Sequence, residues 1–248
     1  MLEINKIYNE DCLEGMKKIE DKSIDMILCD LPYGTTKCRW DNIIPLDKLW
    51  EEYKRIIKDE GTIVLTGSQI FTTLVIEKNK EMFRYEWIWV KNSCTGFLQA
   101  KYRPLKNHEN IMVFSKRQGK YNPQGVVKVQ RYHKAKQHRG GRIIQGDGYE
   151  KQALEKDYIQ EYTNYPKSVI HFDREVNTIH PTQKPLALFE YLIKTYTDEG
   201  DIVLDNCIGS GTTAVACIRT NRNYIGFELD NEYYSKALER IKNEREAN

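Results

Sequence analysis

Two short motifs, far apart in the chain, carry residue types that could act on a nucleoside. The tetrapeptide Asp30-Leu31-Pro32-Tyr33 follows the apolar run Ile24–Cys29, so it lies where a buried strand would end. There, a carboxylate, a backbone carbonyl beside a rigid proline and an aromatic ring can all face one planar amine. Asp-x-Pro-Tyr also arises by chance at roughly the few-per-cent level in such a chain. A second motif must therefore decide the interpretation.

The second motif is a glycine turn between the apolar run Ile202–Asp205 and a segment that predicts a helix. Gly209 and Gly211 let the backbone approach a ligand, and the helix start offers free N–H groups. A further apolar run ends in Glu228, 23 positions after Asp205, where nucleotide-binding folds hold ribose hydroxyls. The spacing predicts a nucleoside site, with tight strand–helix packing as the alternative. Because the turn holds Gly-Thr-Thr without a lysine, phosphate transfer is disfavoured.

With these motifs in this order, the chain resembles the permuted (beta) class of S-adenosylmethionine-dependent DNA amino-methyltransferases, the N6-adenine/N4-cytosine family. Members place an Asp-Pro-Pro-Tyr catalytic motif before the target-recognition segment and the glycine-rich cofactor motif after it. The likeness extends to residues 9–14, 103–104, 108–111, 180–185 and 226–230. It leaves the middle of the chain unmatched.

The resemblance implies an α/β fold: a Rossmann-like, mostly parallel, doubly wound sheet that is circularly permuted and carries an inserted target-recognition segment. Residues 1–115 would form the catalytic half, 116–176 the insertion and 177–248 the cofactor-binding half of one domain. A length of 248 residues suits such a domain. Periodicity predicts strands at 24–30, 62–66, 85–90 and 110–115 and helices at 11–19, 46–58, 69–78, 186–196, 212–220 and 232–243. In the last helix, Tyr233, Leu238 and Ile241 are expected to face the sheet.

The implied reaction is methyl transfer from S-adenosylmethionine to N6 of an adenine that has rotated out of duplex DNA. The Asp30 carboxylate and the Leu31 carbonyl would accept the two N–H groups of the amine. Pro32 would fix the turn, and Tyr33 would stack on the base. An aspartate at position 30 goes with adenine in this family and a serine with cytosine. An N4-cytosine or RNA methyltransferase, or a non-catalytic DNA-binding module with a vestigial cofactor pocket, remain the alternatives.

The same resemblance implies a set of cofactor contacts. Glu228 would bind the ribose hydroxyls and Asp205 the ammonium of the methionine portion. Asp11 and the Cys12 backbone match the adenine contacts, with a helix cap at Asp11 as the competing interpretation. The predicted cofactor residues are Asp11, Cys12, His180, Thr182, Lys184, Asp205, Gly209, Ser210, Gly211, Thr212, Thr213, Glu228 and Leu229. Thr182 and Lys184 are expected at the cofactor's carboxylate end, whereas His180 is equally a loop anchor, and His108 and Glu109 are interpreted as structural.

Positive charge is concentrated in the middle of the chain. The net charge is only +2, but residues 110–146 contain no Asp or Glu and nine lysines and arginines. Tyrosines are interleaved with these cations, a pattern that favours a surface facing DNA over a solvated basic loop. The predicted DNA contacts are Lys116, Arg117, Lys128, Arg131, Lys134, Lys136, Arg139 and Arg142.

Composition sets the remaining expectations. Six cysteines form no Cys-x-x-Cys pair, which argues against a zinc site or a disulfide framework, and the mechanism requires no metal. No apolar run approaches membrane-spanning length and no hydrophobic targeting core is present, so a soluble, cytoplasmic protein is expected. Double-stranded DNA is the expected partner. The resemblance leaves open a homodimer and a cognate restriction endonuclease.

Two positions depart from the family pattern. Leu31 replaces the first of two prolines, which keeps the carbonyl but loosens its placement. Asn206-Cys207-Ile208 stands where the family usually has Pro-Phe-Ala, so an aromatic partner must come from elsewhere. Neither change removes a hydrogen-bonding group, and activity is expected.

Overall fold

The computed structural model describes residues 2–34, 41–134, 157–176 and 178–247. The chain divides into two compact units. The larger unit comprises Met1–Asn122 and Lys167–Asn248, and the smaller unit comprises Pro123–Pro166. The smaller unit is shorter at both ends than the insertion that the sequence predicted at 116–176.

The larger unit contains eight strands and six helices among its described residues. The strands are β1 (Lys6–Tyr8), β2 (Ile24–Cys29), β3 (Ile57–Gly67), β4 (Phe83–Thr95), β5 (Lys106–Ser115), β8 (Val169–His171), β9 (Ile202–Asp205) and β10 (Asn223–Phe227). The helices are α1 (Cys12–Met16), α2 (Leu46–Ile56), α3 (Phe71–Lys78), α4 (Leu186–Tyr196), α5 (Thr212–Arg219) and α6 (Asn231–Ala247).

The eight strands form one sheet in the order β1-β10-β9-β2-β3-β5-β4-β8. Of these described strands only β5 runs against its neighbours, pairing antiparallel with both β3 and β4. The other strands therefore end at one side of the sheet, here called the carboxyl edge. The chain order reverses between the neighbouring strands β9 and β2. Ligands of open α/β sheets bind at such a reversal, and Asp205 and Asp30 lie there.

Helices cover both faces of this sheet. On one face, α2 buries Leu49, Trp50, Tyr53 and Ile56, which recur at helical spacing and pack with α1 and α3 against β2 and β3. On the other face, α4, α5 and α6 bury their apolar sides against the same strands. The predicted mostly parallel, doubly wound sheet is confirmed. Its circular permutation stays a prediction.

Several element boundaries differ from those predicted. Strands β3 and β4 extend beyond the predicted 62–66 and 85–90, and β8 adds a strand beside β4 from within the predicted insertion. In α6, Ile241 is buried as predicted, but Leu238 is 42% exposed and Ala237 is buried in its place. Ala237 packs closely against Gly211 of the glycine turn, and the prediction for Leu238 was wrong.

The smaller unit contains a two-stranded antiparallel ribbon. It is formed by β6 (Val127–His133) and β7 (Tyr158–Thr163), neither of which the sequence predicted. The His133 ring stacks on Tyr158 with centroids 4.8 Å apart. Such cross-strand pairs stabilise a ribbon that has little core of its own.

Candidate active site

One cavity of about 780 Å³ opens at the carboxyl edge of the larger unit. Both sequence motifs line it, the first through residues 30–33 and the second through residues 205–210 and 228–230. The structure therefore brings together two motifs that are far apart in sequence. The side of the cavity that follows β2, β3 and β4 is called the catalytic half below, and the side that follows β9 and β10 is called the cofactor half.

The carboxylate of Asp30 is held by three side chains. Its Oδ1 accepts a hydrogen bond from the Tyr33 hydroxyl at 2.7 Å and another from the Thr66 hydroxyl, and its Oδ2 accepts one from Lys184 Nζ. A carboxylate offers about four acceptor sites. Among the described residues, these contacts fill both sites of Oδ1 and leave one site of Oδ2 unfilled.

The ring of Tyr33 is part of the wall of the site. It stacks on Phe71 with ring centroids 5.0 Å apart. Burial, together with the negative charges of Asp30 and Glu109, raises the pKa of Tyr33, so its hydroxyl remains a hydrogen-bond donor. The structure thus gives Tyr33 a second role that the sequence did not indicate, namely orienting the carboxylate.

Two lysines and two carboxylates form a buried charge network in the catalytic half. Lys184, whose side chain is 7% exposed, also lies 3.5 Å from Glu109 Oε2. Lys91 Nζ donates to Glu109 Oε1. Burial opposes the charge of Lys184, but the carboxylates of Asp30 and Glu109 raise its pKa. Burial alone would raise the pKa of Glu109, yet Lys184 and Lys91 lower it.

Sequence reasoning missed part of this network. Glu109 was interpreted as structural, but it lines the cavity with Lys91. Lys184 was expected at the cofactor's carboxylate end, but it bonds Asp30. The pairing of β4 with β5 places Lys91 beside Glu109, and the loop before α4 brings Lys184 to Asp30. No local sequence pattern indicates either contact.

Packing compensates for the leucine at position 31, where the family usually has a proline. Its side chain is 3% exposed and packs among the residues buried beneath α2. This burial fixes the peptide whose carbonyl follows Asp30, a function that a proline ring would otherwise serve. Aromatic rings also line the cofactor half, where Phe227 and Tyr233 contribute to the cavity wall.

In the cofactor half, Asp205 ends β9 and is 3% exposed. It accepts hydrogen bonds from the Thr213 hydroxyl and, at 3.1 Å, from the Cys207 backbone N–H. Burial raises the pKa of Asp205 to about 7. Its ionised form is therefore poised to gain from a cation placed in the cavity.

Glu228 directly follows the neighbouring strand β10 and is held by backbone donors. Its Oε2 accepts from Gly209 N at 2.9 Å and its Oε1 accepts from Asp230 N at 2.8 Å. Burial raises the pKa of Glu228. The glycine turn requires its glycines, because Gly209 and Gly211 have φ values of +52° and +78°.

The remaining predicted cofactor residues also gather at this cavity or beneath it. Asp11 caps α1 by accepting from Leu13 N at 2.9 Å and still lines the cavity, as does Cys12. The competing interpretation of Asp11 as a helix cap is therefore correct without removing it from the site. Leu229 lines the rim and is 69% exposed.

The loop at 180–184 runs along the cavity. His180 Nδ1 accepts from Thr182 N at 3.2 Å, and its ring lies 4.2 Å from that of Tyr233. Burial lowers the pKa of His180, which favours the neutral, accepting ring.

The glycine turn is anchored by Arg240, which donates to Ser210 O at 3.2 Å and to Thr212 Oγ1 at 3.0 Å. These contacts anchor the turn to α6.

The carboxylates of the cofactor half fit S-adenosylmethionine. Among the described residues, neither Asp205 nor Glu228 has an ion pair with a cationic side chain, although both line the cavity. A nucleoside that carries an ammonium and a ribose diol would supply a positive charge and two hydroxyl donors to them. The described residues hold no cluster of three or more His, Cys, Asp or Glu side chains arranged to bind a metal.

The structure separates the predicted DNA contacts into three groups. Lys116 and Arg117 follow β5 and so lie at the side of the sheet opposite the cavity, where Lys116 donates to Ile57 O at 3.1 Å. Lys128, Arg131 and Lys134 are exposed in the smaller unit. Lys136, Arg139 and Arg142 lie outside the described residues. The placement of Lys116 and Arg117 argues against a shared surface with the active site.

A model of a protein family described as DNA methylase matches residues 24–239. The chain belongs to this DNA methylase family. The type II methyltransferase M.HpaI of Haemophilus parainfluenzae is 29% identical to it over 96% of this chain and 74% of that protein. The DNA adenine methyltransferase YhdJ of Escherichia coli K12 is 28% identical over 96% of this methylase and 83% of YhdJ.

Solved structures agree with this assignment. The M1.HpyAVI–SAM complex matches this DNA methylase with a TM-score of 0.62 and 25% identity over 95% of this chain and 98% of that one. The cytosine-N4-specific PvuII DNA methyltransferase matches with a TM-score of 0.69 at 18% identity, over 97% and 91% of the two chains. The latter likeness shows the fold alone.

Family membership confirms that the chain is a DNA methyltransferase and that S-adenosylmethionine is its methyl donor. The roles of individual residues stay predictions. None of the described helices combines the length and the apolar character needed to cross a bilayer.

Proposed function

We propose that this DNA methylase transfers a methyl group to the N6 amino group of adenine within a specific duplex sequence. The observation that carries the proposal is the Asp30 carboxylate, which faces the cavity with one acceptor site open on Oδ2. Two features favour adenine: the aspartate at position 30, and the likeness to a relative named as a DNA adenine methyltransferase.

The target amine is a poor nucleophile because its lone pair is conjugated with the purine ring. Hydrogen bonds from its two N–H groups to Asp30 Oδ2 and to the Leu31 carbonyl would draw the lone pair out of conjugation and aim it into the cavity. Thr66, Tyr33 and Lys184 hold the carboxylate for this task before substrate arrives. In the transfer, N6 would gain the methyl group as the C–S bond breaks, the sulfur would leave as a neutral thioether, and the methylated amine would then release one proton to solvent.

Such geometry requires the base to leave the duplex stack. Tyr33 and Pro32 line the cavity beside Asp30, where a planar base would enter. Tyr33 stacks on Phe71 through one face, and the base would meet its other face; Lys184 Nζ lies 5.7 Å from the ring centroid.

In the cofactor half, Glu228 would accept the ribose hydroxyls and Asp205 the ammonium of S-adenosylmethionine. When bound, the cofactor supplies an electrophilic methyl group on a sulfonium. The glycine turn at 209–211 brings backbone rather than side chains to the ligand. Asp11 and Cys12 border the same cavity and would enclose the adenine ring of the cofactor.

The smaller unit would read the DNA. A two-stranded ribbon fits the major groove, and β6 presents Lys128 and Arg131 with Lys134 just beyond it. Lysines at these positions would meet phosphates, and Arg131 would reach a base edge. The proposal also includes a cognate restriction endonuclease and a homodimer, and both are supported only by the resemblance to the family. Restriction of unmethylated DNA by neighbouring genes and sedimentation of the full chain test them.

Expression in a host that lacks adenine and cytosine amino-methylation tests the function. DNA from that host is digested to nucleosides for mass spectrometry and sequenced by a single-molecule method. The expected product is N6-methyladenosine at one short sequence, absent with Asp30→Ala. N4-methylcytosine would assign the cytosine alternative, and unmodified DNA together with tight cofactor binding would assign a non-catalytic module.

A further inference from the structure

The hairpin between β4 and β5 ends in an exposed apolar tip. The tip comprises residues 96–105, and its large side chains Phe97, Leu98 and Tyr102 are 68%, 100% and 88% exposed. Water-exposed leucine and aromatic side chains are common singly, but three on one short loop are a candidate for contact with a partner.

The backbone of the tip is folded even though these side chains are largely exposed. The β4–β5 ladder closes at the pair Thr95 and Lys106. Beyond it, Gly96 has a φ of +92° and starts a 3-10 turn at Phe97–Gln99. Gln99 O then accepts from Arg103 N at 3.0 Å. The turn therefore presents its apolar side chains on an ordered backbone, which lowers the entropic cost of binding a partner.

The tip is continuous with the rim of the active site. Strand β4 runs in the same direction as β2 and β3, so its end lies at the carboxyl edge. Thr95 and Lys106, at the base of the tip, line the same cavity as Asp30. A duplex that delivers a base to Asp30 therefore passes beside this loop.

The positive charge of the tip indicates the kind of partner that it would bind. Residues 92–108 contain no Asp or Glu, while Lys101 and Arg103 are exposed on the tip and Lys106 lies at its base. Cations that flank an apolar wedge complement a nucleic acid, whose backbone is anionic and whose base stack is apolar.

We propose that Phe97 and Leu98 insert into the duplex beside the target base and occupy the stacking space that the extruded base leaves. Lys101 and Arg103 contact the flanking phosphates. The inference rests on the proposed function and adds to it the residues that hold the base out. Insertion of apolar side chains between base steps is an established way to offset unstacking.

The test uses the full chain with Phe97 and Leu98 both changed to alanine. Ile4→Ala is the matched control, because Ile4 is 48% exposed and precedes β1 at the opposite side of the sheet. Substrates are a matched duplex with the mapped methylation sequence and the same duplex with a mismatch opposite the target adenine. A third duplex carries 2-aminopurine at the target and reports extrusion by fluorescence.

On the matched duplex, the double variant should lose about 10- to 100-fold in kcat/KM, which corresponds to about 1.4–2.8 kcal/mol. The fluorescence increase should fall in parallel. On the mismatched duplex, which resists extrusion less, the loss should shrink to about threefold or less. Cofactor affinity should match that of the wild type, and Ile4→Ala should match it in every assay.

Three results would overturn the inference while leaving the proposed function intact. The first is wild-type turnover on the matched duplex. The second is an equal loss on both duplexes, which would make the tip a surface for general DNA affinity. The third is a change in sedimentation from dimer to monomer, which would assign the tip to a second copy of the chain. Failure of the proposed function is separate, because the wild type would then methylate neither duplex.

Discussion

The two halves of the cavity hold their carboxylates by different means. In the cofactor half, backbone N–H groups and a hydroxyl surround Asp205 and Glu228, and burial raises the pKa of both. In the catalytic half, lysines surround Asp30 and Glu109, and those lysines lower the pKa of Glu109. Among the described residues, no cationic side chain pairs with Asp205 or Glu228, whereas Lys91 and Lys184 pair with the carboxylates of the catalytic half.

This difference matches what each half must bind. A cationic cofactor supplies the missing charge to Asp205, so a permanent lysine there would compete with it. A neutral adenine amine brings no charge to Asp30, so the protein itself supplies the cation beside that carboxylate. The placement of lysines in the fold therefore indicates which substrate arrives charged.

The largest expected effect is on transfer in the catalytic half. Asp30→Ala should lower the single-turnover methylation rate by at least about 10²- to 10³-fold, because one preorganised electrostatic contact to the amine is lost. Cofactor affinity measured by calorimetry should stay near that of the wild type. Asp47→Ala, an exposed aspartate on α2, is the control. Near-wild-type turnover of Asp30→Ala would show that this carboxylate does not act on the amine.

Removing the cation of Lys184 should test what it contributes to catalysis. Lys184→Met should reduce methylation by up to about 100-fold, since Asp30 loses one of its three holding contacts. Lys184 lowers the pKa of Glu109, so the loss of that cation should raise this pKa and move the acidic limb of the pH–rate profile to higher pH. Lys184→Arg, which keeps the charge, should restore the position of the limb. An unchanged profile in Lys184→Met would assign the lysine to packing alone.

Loss of the ribose acceptor should affect only the cofactor half. Glu228→Ala should weaken S-adenosylmethionine by about 1.5–3 kcal/mol, the range for a charged hydrogen bond, with little change in DNA affinity. Glu232→Ala, on the exposed start of α6, controls for charge. Calorimetry that shows equal cofactor affinity in both variants would place the ribose elsewhere.

The smallest expected effect is in the ribbon of the smaller unit. Replacing Lys128 and Lys134 together by alanine should weaken matched and unmatched duplexes alike. The slope of log affinity against log salt should fall by up to about two, near 0.9 per phosphate contact. Lys116→Ala with Arg117→Ala, at the opposite side of the sheet, is the control. Equal slopes in both double variants would make the ribbon charges a solvated surface.

The sequence predicts the position of a site residue best where that residue lies at the end of a strand. Asp30, Asp205 and Glu228 each follow an apolar strand, and a parallel sheet brings such ends to one edge. Their meeting could therefore be predicted from local pattern and chain order. The buried face of α2 could also be predicted, because its apolar residues keep helical spacing.

The rest depended on contacts that no local pattern encodes. Lys184 lies 154 positions from the Asp30 that it bonds, and its approach is set by how α4 and its preceding loop pack on the sheet. Glu109 is on β5, which runs against the other described strands of the eight-stranded sheet, so its position at the carboxyl edge depends on the pairing order. The ribbon was missed because cross-strand pairs, rather than an apolar alternation, stabilise it.

The dependence of cofactor affinity on pH tests the difference between the two halves most directly. Burial holds the pKa of Asp205 at about 7, so below that pH the protonated side chain offers no charge to the cofactor's ammonium. Calorimetry between about pH 6 and about pH 7.5 should show S-adenosylmethionine affinity rising with pH, by up to about tenfold per unit below the pKa. Asp205→Asn should bind weakly and flatten the profile. A flat profile in the wild type, or an unchanged slope in Asp205→Asn, would contradict the account.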